Sequence, residues 1–343
     1  MTTKKLRKIK KGIANPLEAI KYVLSNLYRT PVINLGTRYH LGTHVLDHEW
    51  DLLIILDTCR VDALRAVGDE YWFLDDIESK MSVGGTTFEW LAHTFDQSRR
   101  QALEYTSYIT PHGWAQKILD NRNFPSGGNT PVSLQRLNKW GKPDVLSSDE
   151  LGNFERVGRY LPNNTELECA KEFLEWIPEK YVEGRTPPRF VTDRAVAVGR
   201  NKNFNRQILH YVQPHAPYLA NVISEKRTLK KHEENPFDYI KKTGDRESVW
   251  NTYLDELRWV LDDIELLLDN IDAEKVVISA DHGEAFGEYG IYSHHTGSLH
   301  PHIRYVPWVT TSATDSESYQ PIVEAKESAN VSTEENLEAL GYL

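Results

Sequence analysis

The stretch VVISADHGEAFGEYG, residues 276–290, runs from an apolar segment straight into Asp281, His282, Gly283 and Glu284. A carboxylate and an imidazole at the end of a buried strand allow two readings: a polar turn facing water, or a metal site. Asp57 closes a second apolar run, EWDLLIILD (49–57), and poses the same choice between capping a helix near Thr58 and binding a cation. Two carboxylates and an imidazole converging from two strand ends suit a divalent ion. Without one the carboxylates repel each other. Five of the thirteen histidines, His282, His294, His295, His300 and His302, fall within one short segment, and His210 and His215 flank another strand end. That density points to metal or phosphate chemistry, although a single histidine is more often a hydrogen-bonded surface or core residue.

A nucleophile is available in SVGGTTFEWLAHTF (82–95), where two glycines lead into Thr86 and Thr87, followed by Phe88, Trp90, Leu91 and Phe95 at helical spacing. A threonine at a helix N-terminus sits in positive potential near free N–H groups. It is also an ordinary N-cap. Beside a metal ion its hydroxyl pKa falls, which turns it into a nucleophile.

The elements that must position these residues follow an α/β pattern. Buried strands are expected over 49–57, 206–213, 275–280 and 305–310, with a long amphipathic helix over 250–271 presenting Tyr253, Leu257, Val260, Leu261, Ile264, Leu268 and Ile271 on one face. Ligands of such sheets sit beyond the carboxyl ends of the strands, where Asp57, His215 and Asp281 fall. Residues 107–165, rich in Gly, Pro and Asn, and the highly charged 222–247 read as insertions beside the sheet's active edge. The C-terminal STEENLEALGYL reads as a short capped helix.

A composition with 40% apolar residues and a net charge of −10 gives a globular core and argues against nucleic acid as the main partner. Two cysteines, Cys59 and Cys169, define no disulfide framework and fit a reducing, cytoplasmic compartment. MTTKKLRKIKK opens the chain with six basic residues and no acid, ahead of the amphipathic ANPLEAIKYVLSNLYR, so residues 1–29 read as a basic arm and helix. The helix either docks on its own domain, the favoured reading, or makes peripheral contact with an anionic membrane. No secretory signal or membrane-spanning run is read. Residues 30–343 are expected to form a single catalytic domain.

The order Asp57, Thr86/Thr87, HYVQPHAPY, SADHGEAFGEYG and SHHTGSLHPHIRYVPW resembles the sulfatase-like branch of the alkaline phosphatase superfamily over roughly residues 49–310, and LEALGYL resembles that branch's ending. The resemblance implies a large, mostly parallel central sheet with helices on both faces. It implies Asp57, Asp281 and His282 as ligands of a principal metal, with Thr58 standing where the family has a second Asp. It implies that Arg60 is the family's arginine near substrate and that His215 contacts the transferred anion. His295 matches the family's later histidine by spacing, with His294 and His300 as neighbouring candidates. Glu284 and Glu288 are read as loop supports. The Cys-x-Pro-x-Arg or Ser-x-Pro-x-Arg motif of classical sulfatases, the source of formylglycine, is missing. A threonine in that role resembles the phosphodiesterase and phosphoglycerol-transferase branches instead. TFEW, similar to the TFPN of nucleotide phosphodiesterases, favours Thr87 over Thr86.

The expected function is therefore a metal-dependent hydrolase or transferase of phosphate esters, diesters above all. Alternatives are a sulfatase acting on a glycan or small molecule, and a non-catalytic, metal-stabilised binder of a glycan or lipid head group. One divalent ion (Mn²⁺, Zn²⁺, Mg²⁺ or Ca²⁺) is expected; a second, on His215, His295 or His300, is less favoured because the usual Asp-x-x-x-His supplier is not evident. The substrate is expected to be a small-molecule, glycan or lipid-linked ester.

Overall fold

The computed structural model describes residues 41–120, 144–158, 175–177, 186–201 and 204–322. The basic arm and helix of 1–29 and the C-terminal STEENLEALGYL lie outside the described residues.

Strand β1, Leu52–Leu56, is buried throughout. Its side chains alternate between two cores: Leu52, Ile54 and Leu56 enter one, Leu53 and Ile55 the other. An all-apolar strand is what a parallel sheet covered on both faces requires. Around β1 lie β2 (Glu78–Met81), β3 (Thr106–Thr110), β4 (Asn153–Arg156), β5 (Arg206–Tyr211), β6 (Ala273–Ser279) and β9 (Tyr305–Ala313), in the order β2-β9-β6-β1-β5-β3-β4. The pairs β1·β5, β1·β6, β3·β5 and β3·β4 are parallel, and β9 runs antiparallel to both β6 and β2. A separate hairpin pairs β7 (Ala285–Phe286) with β8 (Tyr292–Ser293). This is the mostly parallel α/β sheet expected from the sequence.

The first core is closed by α1 (Val61–Val67), α5 (Arg189–Arg200) and α9 (Arg246–Leu268). The second is closed by α2 (Thr87–Thr94), α3 (Arg100–Leu103) and α4 (Gly113–Leu119). Helix α9 starts at Arg246, four residues ahead of the expected 250, because the Asp245 side chain accepts the Ser248 N–H at 3.0 Å and caps it. Among the described residues no helix is long and apolar enough to cross a membrane.

The four expected strands correspond to β1, β5, β6 and β9. The reading of 107–165 as an insertion is corrected: this segment supplies most of β3 and all of β4. The sequence TSYIT hides β3 because its polar residues are buried yet satisfied, Thr106 Oγ donating to Ala102 O and Thr110 Oγ to His210 O, both at 2.9 Å. Strands β2 and β4 are the polar edges of the sheet, short as edges tend to be. Residues 222–247 hold the end of α6 (Ala220–Ser224), then α7 (Lys231–Glu234) and α8 (Pro236–Thr243), which stack beside α9. A short helix α10, Pro301–Arg304, leads into β9.

Because β1 is central and sealed on both sides, Ile55→Ala is expected to destabilise the fold by about 2–5 kcal/mol. Glu274→Ala, at the exposed start of β6, should stay within about 0.5 kcal/mol of the parent. Chemical denaturation midpoints read both.

Candidate active site

The register of β1 against β6 pairs Leu52 with Val276 and Ile55 with Ser279. Two residues further along each strand, Asp57 and Asp281 emerge side by side, distant in the chain but adjacent at the carboxyl edge of the sheet. Both carboxylates and the His282 imidazole are fully buried, and their donor atoms lie within 4.8 Å of one another.

Each carboxylate has one oxygen held and one left over. Asp281 Oδ1 accepts the Thr58 N–H at 3.2 Å and the His282 N–H at 2.8 Å. Asp57 Oδ2 lies 3.2 Å from His112 Nε2. The remaining Asp57 Oδ1 and Asp281 Oδ2 are buried with no hydrogen-bond partner among the described residues. Orphaned buried oxygens are costly, and an ion between them would satisfy both. His282 fits the same requirement. Its Nδ1 is 2.9 Å from the Gly283 carbonyl, so Nδ1 carries the proton and Nε2 offers a lone pair. That Nε2 lies 3.4 Å from Asp281 Oδ2 and 3.7 Å from Asp57 Oδ1. Ligands about 2.1 Å from an ion in tetrahedral array stand about 3.4 Å apart, so the donor spacing suits a small divalent cation. Burial opposes charge on Asp57, yet His215, His112 and His282 outweigh it and hold its carboxyl well below the usual range. Asp281 is likewise lowered: burial raises it, His282 lowers it, and His210 counters the repulsion from Asp57.

The loop that presents Asp57 is strained. Thr58 adopts φ +68°, unusual for a β-branched residue, and this turn aims its N–H at Asp281. Tyr253 of α9 clamps the turn, its hydroxyl donating to Thr58 O at 2.9 Å and accepting the Arg60 N–H at 3.0 Å. On the other strand Gly283 is dictated by space: a Cβ there would stand 2.1 Å from His302 O.

The two threonines are separated by the start of α2. Thr86 is the N-cap, its hydroxyl accepting the Glu89 N–H at 3.3 Å. Thr87 is buried, with its hydroxyl 3.3 Å from His282 Nε2. Glu89 draws the neighbouring loops together, one carboxylate oxygen accepting the Gly85 N–H at 2.8 Å and the other the Gly297 N–H at 2.7 Å.

The remaining predicted residues divide. His215, Glu284 and His294 form a second group with donor atoms within 4.8 Å. The His294 ring sits 4.4 Å from that of His282 and 5.3 Å from that of His215, and its Nδ1 lies 3.1 Å from Glu284. Burial disfavours a charged His294, but the Glu284 carboxylate raises its pKa to about 9. His295, preferred on spacing, is exposed, and the neighbour His294 takes the inward position. His300 is buried outside both groups, where its Nδ1 accepts the His302 N–H at 3.2 Å. Arg60, expected to meet substrate, is instead buried among protein partners. It binds Asp62 and Glu288, donates to Glu284 O, and lies over the Trp250 and Phe286 rings. Glu288 also accepts the Phe286 N–H at 2.6 Å, so it braces the loop.

Two histidines at the site were not singled out as site residues from sequence. His112 follows β3 and contacts Asp57; His210, at the end of β5, places Nε2 3.7 Å from Asp281 Oδ2. His112 follows a strand as His282 does, but β3 itself was hidden by its hydroxyl residues.

No family model matches the chain, and no curated protein matches it. Among solved structures it is similar to the soluble domain of lipooligosaccharide phosphoethanolamine transferase A from Neisseria meningitidis (16% identity, 77% of this chain and 76% of that one, TM-score 0.47). It is also similar to the C-terminal periplasmic domain of phosphoethanolamine transferase EptC from Campylobacter jejuni (15% identity, 76% and 78%, TM-score 0.44). The corresponding domain of EcEptC from Escherichia coli, solved in complex with Zn, aligns at 13% identity over 80% and 76% with a TM-score of 0.36.

If the orphaned oxygens are metal ligands, excess Mn²⁺ or Zn²⁺ should raise the thermal midpoint, by about 2.7 kcal/mol of stability at a hundredfold excess over Kd. Asp281→Asn keeps the Oδ1 acceptor and removes one of two repelling charges. It should leave the metal-free midpoint equal or higher while abolishing the shift with metal. Differential scanning calorimetry with and without chelator reads both effects.

Proposed function

We propose that the protein is a metal-dependent hydrolase or transferase of phosphate esters, diesters above all, with Thr87 as nucleophile. The observation that carries this reading is the pair of buried oxygens without a hydrogen-bond partner among the described residues, Asp57 Oδ1 and Asp281 Oδ2, facing His282 Nε2 with the Thr87 hydroxyl 3.3 Å from that nitrogen. Asp57, Asp281 and His282 hold one divalent ion in this reading. The ion supplies Lewis acidity, lowering the pKa of a neighbouring hydroxyl and neutralising charge on a phosphoryl oxygen.

The chain's own residues do the rest. Thr87 releases its hydroxyl proton to solvent water and attacks phosphorus in line with the leaving group. The bond from phosphorus to the leaving oxygen breaks, and the protonated His294, held by Glu284, supplies a proton to that oxygen. His215 binds a remaining phosphoryl oxygen as charge builds, and charge stabilisation of this kind dominates phosphoryl transfer. Water or an acceptor alcohol then attacks the phosphothreonine, its proton passes to His294, the bond from phosphorus to the threonine oxygen breaks, and that oxygen takes a proton back from solvent water. Cys59 gives no support to a formylglycine mechanism, since it lies in the core and burial pushes its thiol up.

The test is a panel of aryl phosphate diester, monoester and sulfate ester substrates, with several metals and with or without an acceptor alcohol. Thr87→Ala should lose turnover on the order of 10³-fold or more while keeping metal content. Thr86→Ala should lose about 1 kcal/mol of stability through the missing cap and keep turnover. Full activity in both variants would show that water attacks directly, and sulfate hydrolysis exceeding phosphate hydrolysis would reassign the substrate.

We propose that residues 1–29 serve location and not chemistry, with peripheral contact to an anionic membrane on the cytoplasmic side as the reading to be tested against a helix docked on its own domain. Each basic residue near an anionic bilayer is worth about 1 kcal/mol, and salt screens the attraction. Sedimentation with anionic vesicles at low salt should retain the full chain and release one starting at Thr30. Equal failure of both to bind returns the segment to a helix packed on its own domain.

A further inference from the structure

We infer that His112 is a positioning residue that commits Asp57 to offering a single oxygen, Oδ1, to the cation. The inference rests on the metal reading of Asp57, Asp281 and His282.

Two contacts fix the His112 ring. Its Nδ1 accepts the Trp114 N–H at 3.2 Å as the N-cap of α4, so Nδ1 carries no proton and the ring proton must sit on Nε2. That Nε2–H is 3.2 Å from Asp57 Oδ2, a buried donor to a buried carboxylate. The backbone behind the ring is tied as well: the His112 N–H donates to Thr110 Oγ at 3.1 Å, and Thr110 Oγ donates to His210 O at 2.9 Å. The ring is thus anchored to β3, α4 and β5 together, and only 9% of the residue is exposed.

The consequence falls on Asp57. A carboxylate can offer a cation one oxygen or both. With Oδ2 occupied by a fixed donor, rotation about χ2 is blocked, and Oδ1, which has no other partner among the described residues, is the oxygen left facing Asp281 and His282. Partners that hold a ligand in this way typically affect metal affinity by about 10–100-fold.

The cap and the donor are on different nitrogens, so two substitutions separate them. His112→Asn keeps an acceptor where Nδ1 stands and removes the donor to Asp57. His112→Gln reaches Asp57 Oδ2 with an amide N–H and loses the short-range cap. Mn²⁺ and Zn²⁺ affinities of the full chain are measured by equilibrium dialysis against a competing chelator, alongside the metal-free thermal midpoint, for the parent, both variants and Asp57→Asn. The expected result is a metal-free midpoint near the parent's but a 10–100-fold weaker affinity for His112→Asn. For His112→Gln, a lower midpoint with most of the affinity restored is expected. Parental affinity in His112→Asn, or affinities that fall in step with the midpoints in both variants, overturns the inference and leaves His112 as a helix cap. Failure of the parent to bind either metal overturns the metal reading itself, and the inference with it. Binding that is lost only in Asp57→Asn upholds the metal reading and rejects the role of His112.

Discussion

Two carboxylates buried side by side, each with an oxygen that has no hydrogen-bond partner among the described residues, are the constraint around which this end of the molecule is organised. Burial and mutual repulsion both disfavour them. The surroundings answer on three sides: two backbone N–H groups on Asp281 Oδ1, the His112 ring on Asp57 Oδ2, and an imidazole whose lone pair, not its proton, faces the gap. A structure built only for stability would have closed the gap with a donor. Here the closest donors are turned to the outer oxygens, and two carboxylate oxygens and an imidazole lone pair face the inner space, with His210 Nε2 standing off at 3.7 Å from Asp281 Oδ2, an arrangement that suits a cation.

The scaffold delivers this with few parts. Adjacent parallel strands β1 and β6 bring the two aspartates level, and β5 and β3 bring His210 and His112 to the same edge. The crowding has a backbone signature. Thr58 is bent into the left-handed region, and Gly283 leaves no room for a side chain beside His302 O. Glu89 ties the Gly85 turn ahead of Thr87 to the Gly297 turn beyond His294, so the helix that opens at Thr87 and the histidine loop are held by one carboxylate.

Much of this was legible in the sequence, for a definite reason. Asp57, Asp281 and His282 each end a run whose apolar character leaves no doubt that it is a buried strand, and the abrupt polarity there needs an explanation. Strand β3 was hidden because Thr106, Ser107 and Thr110 look like loop residues until their hydrogen bonds are seen, and His112 was hidden with it. The exchange of His295 for His294 lies below the resolution of motif spacing. Ser293, just before them, takes φ +64°, and a left-handed residue redirects the chain by more than a spacing rule can register. Arg60 was visible as a charged residue beside the site, but its partners Glu288, Trp250 and Phe286 come from segments far along the chain.

The uniform apolarity of β1 has a consequence for how the chain finds its fold. Where one face of a strand is wet, a slip of one residue exposes oil to water and is rejected at once. Leu52 to Leu56 are welcome on either face of this sheet, so hydrophobic matching alone discriminates poorly between neighbouring alignments of β1 with β6. The discrimination passes to the polar residues at the strand ends. A slip of one residue sets Asp57 level with Ala280 or His282 instead of Asp281 and moves Asp281 away from the Thr58 N–H that it accepts in the native alignment. The native register of β1 against β6 and the meeting of the two aspartates are therefore one and the same geometric condition.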